Sequence, residues 1–450
     1  MSLIKKLNLK SIPTHRILLI LVLVYFFVFG VFMAYTAGQP DQGPHQYFSK
    51  RFSETWGFPE EDMEVGYYIV TGQPYLYYWL NGAITKIYEF IYPNTPPIRT
   101  VIVWRLFSVL LSTFTVFYSY KLAKKVTGNP YAGVLAAFFL SNTLMFVFVS
   151  GAVNYDNLMN LAAMAAIYHL VNVYKGENFV KQTALTGTWV IIGSLTKEQF
   201  LLLTLIIFIA WVYYVIRNFK SLRLSFTKTN ILVVSIFVIF LALFIGLYGV
   251  NLIRYARTTP ICLQIKDPEN CGGFVNRREY YSPFSLRVFW FQRDNTTNFI
   301  QYAQQFWFFK MAESIWGIIS HNTFVPLLSV ALHTLLTFWG FINLVRYWKP
   351  QDKIANLLIF ILLAYSAYIF RMNFRNEVNF SFQHFGISGR YLSPVYGVLF
   401  TLTIHYFLKI RSTFLKRMTL TLSIMLYFSG GLWMYVSRYA ERFVHWRFYQ

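Results

Sequence analysis

Long apolar stretches, separated by loops whose charge alternates, constrain this 450-residue chain more than any other feature of its sequence. A helix needs about 20 apolar residues to cross the hydrocarbon core of a bilayer, and eleven stretches of roughly that length can be read. One alternating set of loops holds 20 of the 40 Lys and Arg residues but only two of the 18 acids, Glu177 and Asp352. The positive-inside rule makes this set cytoplasmic. We therefore expect an all-α polytopic membrane protein whose other acidic residues face outward.

The predicted spans form one transmembrane domain, residues 1–450, with two large outer insertions at 38–99 and 253–322. The predicted spans are residues 17–37, 100–120, 130–150, 157–174, 182–196, 199–216, 230–252, 324–345, 354–370, 391–408 and 418–437. The first insertion contains an apolar and aromatic run at 74–92 that also includes Lys86 and Glu89. Because a spanning helix would have to bury these charges, we expect a juxtamembrane helix lying on the outer surface.

The second insertion contains the only two cysteines, Cys262 and Cys271. In an oxidising compartment two cysteines this close in sequence are expected to form a disulfide. The alternative is a pair of free thiols in a reducing setting.

Composition supports a membrane location independently of the spans. Charged residues make up 13% of the chain, about half the share typical of a soluble domain, and hydrophobic residues make up 56%. The net charge of +22 could suggest a nucleic-acid partner, but the bases lie in short loops where topology and anionic headgroups explain them. We therefore expect a monomeric multi-pass protein of the plasma membrane, in contact with membrane lipids and not with nucleic acid.

Two carboxylates return to the outer surface at the ends of apolar spans. Asp41 and His45 are four residues apart, so a helix that begins near Pro40 would place both on one face. Asp156 lies in a very short loop between the third and fourth spans. Each has a structural alternative, because Asp also caps helices and forms tight turns. A pair of carboxylates at a membrane surface is nevertheless what acid–base chemistry there would use.

Basic residues on the same outer face are candidates for binding an anion. They are Lys197 between the fifth and sixth spans, Arg254 and Arg257 after the seventh, and Arg390, followed by Tyr391, at the start of the tenth. Arg offers bidentate contact to phosphate. The alternative for each is an interfacial residue whose charged end reaches water. Bases on the outer face run against the positive-inside tendency, and a lipid phosphate would account for them.

Six short motifs can be read along the chain. They are Pro40-Asp41-Gln42 with His45, Gln73-Pro74-Tyr75-Leu76-Tyr77-Tyr78-Trp79, Asp156, Thr196-Lys197, the segment Gln304 to Gly317 with Glu313, Ser314 and Trp316, and Gly389-Arg390-Tyr391-Leu392. In this order and topology the chain resembles the GT-C membrane glycosyltransferases. The branch it resembles contains protein O-mannosyltransferases, lipid A aminoarabinose transferases and uncharacterised bacterial and archaeal relatives. Two positions depart from the pattern, since Gln42 replaces a usual Glu and Gln73 replaces a usual His.

The resemblance implies an inverting glycosyltransferase with its active site on the extracytoplasmic face. The sugar donor would be carried on a polyprenyl (undecaprenyl or dolichyl) phosphate, and the acceptor would be a lipid, a glycan or a protein. In the enzyme interpretation, catalysis falls to Asp41, Asp156 and His45, with Asp41 as general base. Donor-phosphate binding is expected of Lys197, Arg254, Arg257, Arg390 and Tyr391, and a substrate pocket of Tyr77, Tyr78, Glu313 and Trp316. No cofactor is implied with certainty. Asp41 and His45 leave a divalent metal open, although Gln42 weakens that assignment.

A polytopic lipid or solute transporter, such as a flippase, is the competing interpretation. Transporters often have inverted repeats, broken helices in matching positions and ionisable residues at mid-membrane. The sequence shows none of these clearly, and its charged residues cluster at one face. The enzyme interpretation is therefore favoured.

Overall fold

The computed structural model describes a bundle of α-helices with two small β-hairpins. The described residues are 13–35, 42–55, 64–65, 68–69, 72–93, 96–222, 227–261, 264–265, 299–320, 323–379 and 387–437. The helices are α1 (Thr14–Ala34), α2 (Gln42–Thr55), α3 (Leu76–Ile91), α4 (Pro97–Thr127), α5 (Pro130–Ser141), α6 (Leu144–Ser150), α7 (Asp156–Tyr174), α8 (Phe179–Thr196), α9 (Phe200–Asn218), α10 (Lys228–Phe244), α11 (Val250–Tyr255), α12 (Phe308–Gly317), α13 (Leu327–Tyr347), α14 (Lys353–Asn379), α15 (Tyr396–Leu408) and α16 (Thr413–Phe428).

Short irregular helices and two antiparallel hairpins complete the described part of the chain. The short segments are Phe219–Ser221, Ile245–Gly249, a helical turn at Phe299–Gln301, Tyr302–Trp307, a 3₁₀ helix at Gly389–Val395, and Ser429–Trp433. The hairpins pair β1 (Glu64–Val65) with β2 (Tyr68–Ile69), and β3 (Ile318–Ser320) with β4 (Thr323–Phe324). The first hairpin lies within the predicted insertion 38–99, and the second lies at the end of the insertion 253–322, with β4 just beyond it.

The polytopic helical fold is confirmed, whereas the exact number of spans is not. Within the described residues, eight helices are long and apolar enough to cross a membrane, or nine if the bent pair α5 and α6 is one span. The predicted spans 157–174 and 182–196 are present as α7 and α8 but are not among these eight or nine. Whether the chain has eleven spans therefore depends on whether α7 and α8 also cross the membrane.

Helix α7 lies at the centre of the bundle, which accounts for its polar composition. Nearly every one of its residues is buried, and it packs mainly against α4 and α8. Small residues at 162–163 and 165–166 allow neighbouring helices to approach closely. Because α7 is surrounded by protein, it can hold side chains such as Asn160 and His169 that a lipid-facing helix would exclude. Its first residue is Asp156, so the fold carries a carboxylate into the interior.

Helices α2 and α3 pack against each other and build one wall beside the start of α7. A Cβ on Gly82 would lie 2.7 Å from the backbone carbonyl carbon of Phe52, so only glycine permits this approach. Asn81 Nδ2 donates to Ser49 Oγ at 2.9 Å across the same contact. The far end of α3 exposes apolar side chains, Phe90 among them at 87%. The sequence predicted a helix here, and its apolar exposure agrees with a position at a membrane surface.

The predicted disulfide between Cys262 and Cys271 lies outside the described residues. It stays a prediction.

Candidate functional site

Asp156 is the centre of the candidate site. The carboxylate is fully buried at the first position of α7. Its backbone N–H donates to Asn154 Oδ1 at 2.9 Å, and the Asn154 N–H donates to the Tyr77 hydroxyl at 2.9 Å. These local bonds explain why the Asn-Tyr-Asp sequence turns the chain into the helix at this point. An ionised carboxylate so deeply buried requires a compensating charge.

Lys197 supplies that charge. It follows the last residue of α8 with extended backbone angles, so the chain turns there and directs the side chain inward. Lys197 Nζ donates to Asp156 Oδ1 at 2.6 Å, and its side chain is only 5% exposed. The ammonium also lies over two aromatic rings, 4.5 Å from the Tyr155 centroid and 5.1 Å from that of Tyr391. Ion pairing and cation–π contacts together offset part of the cost of burying this ammonium.

Arg390 brings a second cation to the same carboxylate. Arg390 Nε lies 4.0 Å from Asp156 Oδ2, which is buried and has no hydrogen-bonding partner among the described residues. The guanidinium carbon lies 5.3 Å from the Tyr391 ring centroid, and Nη2 donates to the Tyr391 hydroxyl at 3.4 Å. The side chain is 15% exposed, more than that of Lys197. Lys197 and Arg390 thus bring two basic side chains to one carboxylate, and both are residue types that bind anions.

His45 lies on the α2 side of the same cluster. Its Nδ1 is 2.7 Å from the Tyr78 hydroxyl, and its ring meets the Tyr155 ring edge-on with centroids 4.5 Å apart. Tyr155 therefore contacts His45 on one side and the Lys197 ammonium on the other. Sequence reasoning missed Tyr155. The only available signal was its place next to Asp156, and the contacts themselves depend on tertiary packing.

Four of the predicted residues come together, and others lie apart. Asp156, Lys197, Arg390 and Tyr391 lie together in the structure, and their predicted roles stay predictions. Arg254 and Arg257, which follow the seventh predicted span, are both exposed. Neither forms an ion pair or a side-chain hydrogen bond with another described residue. Their predicted role at the donor phosphate remains untested.

Of the four residues predicted for the substrate pocket, Tyr77 and Tyr78 adjoin the site around Asp156, whereas Glu313 and Trp316 have contacts elsewhere. The Tyr77 hydroxyl also bonds Ser108 Oγ at 2.8 Å. Glu313 forms an ion pair with Lys310 at 2.8 Å. Trp316 is buried among other aromatic rings. The predicted base, Asp41, lies outside the described residues.

The described part of the site contains no set of side chains arranged to bind a metal ion. No group of three His, Cys, Asp or Glu side chains placed to hold a metal occurs among the described residues. Asp156 Oδ1 already binds Lys197, and His45 Nδ1 already bonds Tyr78. These described side chains suit an anion better than a cation. The predicted alternative of a metal on Asp41 and His45 depends on a residue outside the described set.

Comparison with known proteins gives one family-model match and several matches to solved structures. Residues 73–246, less than half of the chain, match a family model described as dolichyl-phosphate-mannose-protein mannosyltransferase. No curated protein matches the sequence. Among solved structures, the chain is similar to the archaeal oligosaccharyltransferase AglB from Archaeoglobus fulgidus in complex with an inhibitory peptide and a dolichol-phosphate. The identity is 13% and the TM-score 0.53, over 94% of this chain and 56% of AglB.

Two further structures have similar coverage. The apo form of the Archaeoglobus fulgidus oligosaccharyltransferase matches with 12% identity and a TM-score of 0.50, over 94% of this chain and 56% of that one. ArnT from Cupriavidus metallidurans bound to undecaprenyl phosphate matches with 13% identity and a TM-score of 0.47, over 88% of this chain and 60% of ArnT.

The chain has the fold of the GT-C membrane glycosyltransferases. It is a multi-pass membrane protein. It spans little more than half the length of the oligosaccharyltransferase that it matches.

Proposed function

We propose that this protein is a glycosyltransferase that uses a polyprenyl-phosphate sugar donor. One observation carries the proposal: two basic side chains, Lys197 and Arg390, converge on the buried carboxylate of Asp156. The match of residues 73–246 to a mannosyltransferase family model supports it. The GT-C fold supports it as well.

The proposed reaction follows from the charges at the site. An acceptor hydroxyl attacks the anomeric carbon of the sugar with inversion, and the bond between that carbon and the phosphate oxygen breaks. The leaving lipid phosphate keeps the electron pair of that bond, and Lys197 and Arg390 stabilise its charge. The acceptor proton passes to a general base, for which we propose Asp41. Asp156 is less suited to this role because Lys197 occupies one of its oxygens.

His45 would assist on the acceptor side. Its Nδ1 is held by Tyr78, which fixes the ring beside Tyr155, the residue whose ring the Lys197 ammonium also contacts. We place the reaction on the extracytoplasmic face of the plasma membrane because the Asp156, Lys197 and Arg390 segments belong to loops that the positive-inside rule assigns to that face. The acceptor remains a lipid, a glycan or a protein.

The proposal is tested by incubating the purified protein in lipid nanodiscs with a panel of undecaprenyl- and dolichyl-phosphate sugars. We expect one donor to be consumed, and donor affinity to fall in Lys197→Ala and Arg390→Ala because each removes a charge-assisted contact to phosphate. Asp41→Asn should keep donor affinity while turnover falls by about 10²–10⁴, the usual cost of losing a general base.

Arg217→Ala is the matched control for Arg390→Ala. Arg217 also stacks over a tyrosine, with its guanidinium carbon 5.7 Å from the Tyr213 centroid, but it lies at the end of α9 away from Asp156. Donor affinity should be unchanged in this variant. A wild-type protein that consumes none of the donors but moves lipid between leaflets would contradict the proposal and favour a transporter.

A further inference from the structure

Gly389 begins the 3₁₀ helix that carries Arg390 and Tyr391 into the site. The first N–H groups of a helix have no acceptor within the helix and need one elsewhere. For Gly389 the acceptor comes from a distant part of the chain, because its N–H donates to Ser314 Oγ on α12 at 2.6 Å. Ser314 is itself buried, and its hydroxyl donates to the Met311 carbonyl at 3.2 Å.

The carbonyl side of Gly389 is held as well. The Tyr396 hydroxyl, at the start of α15, donates to the Gly389 carbonyl at 2.5 Å. A Cβ at Gly389 would lie 2.9 Å from the Ile315 backbone nitrogen and 2.9 Å from Ser314 Oγ, so the backbone of α12 lies directly against this residue. The polar groups of Gly389 are thus bonded on one side by α12 and on the other by α15.

Arg390 takes its direction from this clamped residue. The Arg390 carbonyl accepts a 2.5 Å hydrogen bond from Ser393 Oγ, which leaves little rotation for the backbone on either side of the arginine. Its guanidinium must reach the neighbourhood of Asp156, and Nε lies 4.0 Å from that carboxylate. Misplacing a binding group by about 1 Å can cost a factor of 10² in rate, so backbone placement matters here.

Helix α12 is in turn fixed by Trp316, two residues after Ser314. The Trp316 ring stacks on His333 of α13 with centroids 5.4 Å apart, and it meets the ring of Tyr427 edge-on at 5.9 Å. His333 Nδ1 is 2.8 Å from the Ser329 carbonyl, which fixes the imidazole plane against which the indole packs. Trp316 is buried, so it anchors the segment that bears Ser314.

We propose that Ser314 and Tyr396 are positioning residues, which hold the Gly389 backbone so that Arg390 is directed toward the lipid phosphate. The identity of the anion rests on the proposed function, whereas the clamp on Gly389 does not. Ser314 acts through Arg390 and touches no substrate in this scheme. The sequence singled out the segment that contains Ser314 as part of a motif, and the clamp gives that segment a role apart from substrate contact.

The test uses the full-length protein in nanodiscs, with undecaprenyl phosphate as the probe. Ser314→Ala removes the acceptor of the Gly389 N–H. Binding of undecaprenyl phosphate should weaken about 3- to 30-fold, the effect of losing one buried hydrogen bond. If the wild type turns over one of the sugar donors, the KM of Ser314→Ala for that donor should rise while its kcat changes less. In an Arg390→Ala background the same substitution should have no further effect on affinity, because the residue it positions is gone.

Ser423→Ala is the matched control. Ser423 is also buried, and within the described part of the chain its hydroxyl bonds just the Thr419 carbonyl of α16, so affinity should stay within about twofold of the wild type. Tyr396→Phe keeps the ring and removes the other half of the clamp. It provides a second variant should Ser314→Ala fail to fold, and the same loss of affinity is expected.

Amide hydrogen exchange supplies a readout that needs no ligand. Exchange at the backbone amides of residues 389–391 should be about tenfold faster in Ser314→Ala than in Ser423→Ala, since an unbonded amide opens more readily. Unchanged exchange would overturn the inference, as would an affinity loss that simply adds to that of Arg390→Ala. If the wild type binds no undecaprenyl phosphate, the proposed function fails, and exchange alone then decides whether Ser314 holds Gly389.

Discussion

Lys197 and Asp156 form a buried ion pair, and burial gives this pair a structural role in addition to its proposed chemical one. Both side chains are almost inaccessible, and their atoms approach to 2.6 Å. Breaking a buried pair by removing one partner typically costs about 3–5 kcal/mol because the other charge is left unpaired, whereas replacing both is often neutral. Stability and donor binding should therefore respond differently to single and double substitutions.

We expect Asp156→Asn to lower the melting temperature of the purified protein, because Lys197 loses its counter-ion. Adding Lys197→Met should restore most of the melting temperature but none of the donor affinity, since the phosphate-binding ammonium is gone. Both effects are checked by measuring thermal unfolding and undecaprenyl-phosphate binding of the single and double variants in nanodiscs. A double variant less stable than Asp156→Asn would show that the pair does not behave as a buried ion pair.

Sequence motifs located the four central residues of the site but not the contacts that hold them. Asp156, Lys197, Arg390 and Tyr391 could be selected because each lies at the end of an apolar span on one predicted side and within a motif, but Arg254 and Arg257 share that side and lie apart. The hydrogen bond from Gly389 to Ser314 joins residues 75 positions apart and has no local signature. Contacts of this kind depend on how α12 packs, which periodicity does not specify.

Individual helices were predicted where apolar runs are long, and the deviations have local causes. The run 130–150 reads as one span, yet the chain bends by 70° between α5 and α6. At the break Asn142 Nδ2 donates to the Phe138 carbonyl and Thr143 Oγ1 to the Phe139 carbonyl. Side chains that bond the backbone of their own helix compete with its continuation. Two polar residues within a long apolar run are too weak a signal to predict this break from sequence.

The contact between α2 and α3 positions His45, and it depends on Gly82. A methyl group there would meet the backbone of Phe52 and Ser53, which cannot move aside as a flexible side chain could. Gly82→Ala should therefore separate the two helices, at an overpacking cost of about 1–3 kcal/mol that exceeds the gain of about 1 kcal/mol in helix propensity. The His45–Tyr78 contact, 2.7 Å in the structure, should be lost with it.

Hydrogen exchange across residues 42–55 measures this separation directly. We expect faster exchange in Gly82→Ala and an unchanged rate in Gly246→Ala, a control in which a Cβ would meet no atom within 4 Å. Turnover should fall in the first variant only. Equal exchange in the two variants would mean that α2 does not require the close approach at Gly82.

At the scale of the whole molecule, charged loops gather at the end predicted to be cytoplasmic. Glu177 and Asp352, the two acids of that side, are both paired: Glu177 with Lys125, and Asp352 with Lys409 at 3.2 Å and His405 at 3.1 Å. Burial alone would raise the pKa of Asp352, but hydrogen bonds and the Lys409 ammonium outweigh it and hold the pKa below its usual value. The Lys125–Glu177 and Asp352–Lys409 pairs each join two loops that the charge pattern assigns to one side, and His405 lies in the last turn of α15 beside the second pair.

This arrangement predicts an orientation that can be measured in cells. With the native cysteines replaced by serine, single cysteines are introduced at Lys50 in α2 and at Lys349 and Arg411 in two loops of the opposite set. All three native residues are exposed, so the substitutions should not disturb packing. A membrane-impermeant maleimide should label Lys50→Cys in intact cells. It should label Lys349→Cys and Arg411→Cys only after permeabilisation, because positively charged short loops are retained in the cytoplasm.

Protein with its native cysteines extends the same measurement to the second insertion. Cys262 and Cys271 should be unreactive in intact cells until a reductant is added, because we expect them to be bonded in an oxidising compartment. Labelling of Lys50→Cys only after permeabilisation would place α2 and the candidate site in the cytoplasm. This result would contradict the predicted topology and the proposal that the acceptor enters from outside. The Asp156–Lys197–Arg390 cluster would then be a candidate anion site on the cytoplasmic side.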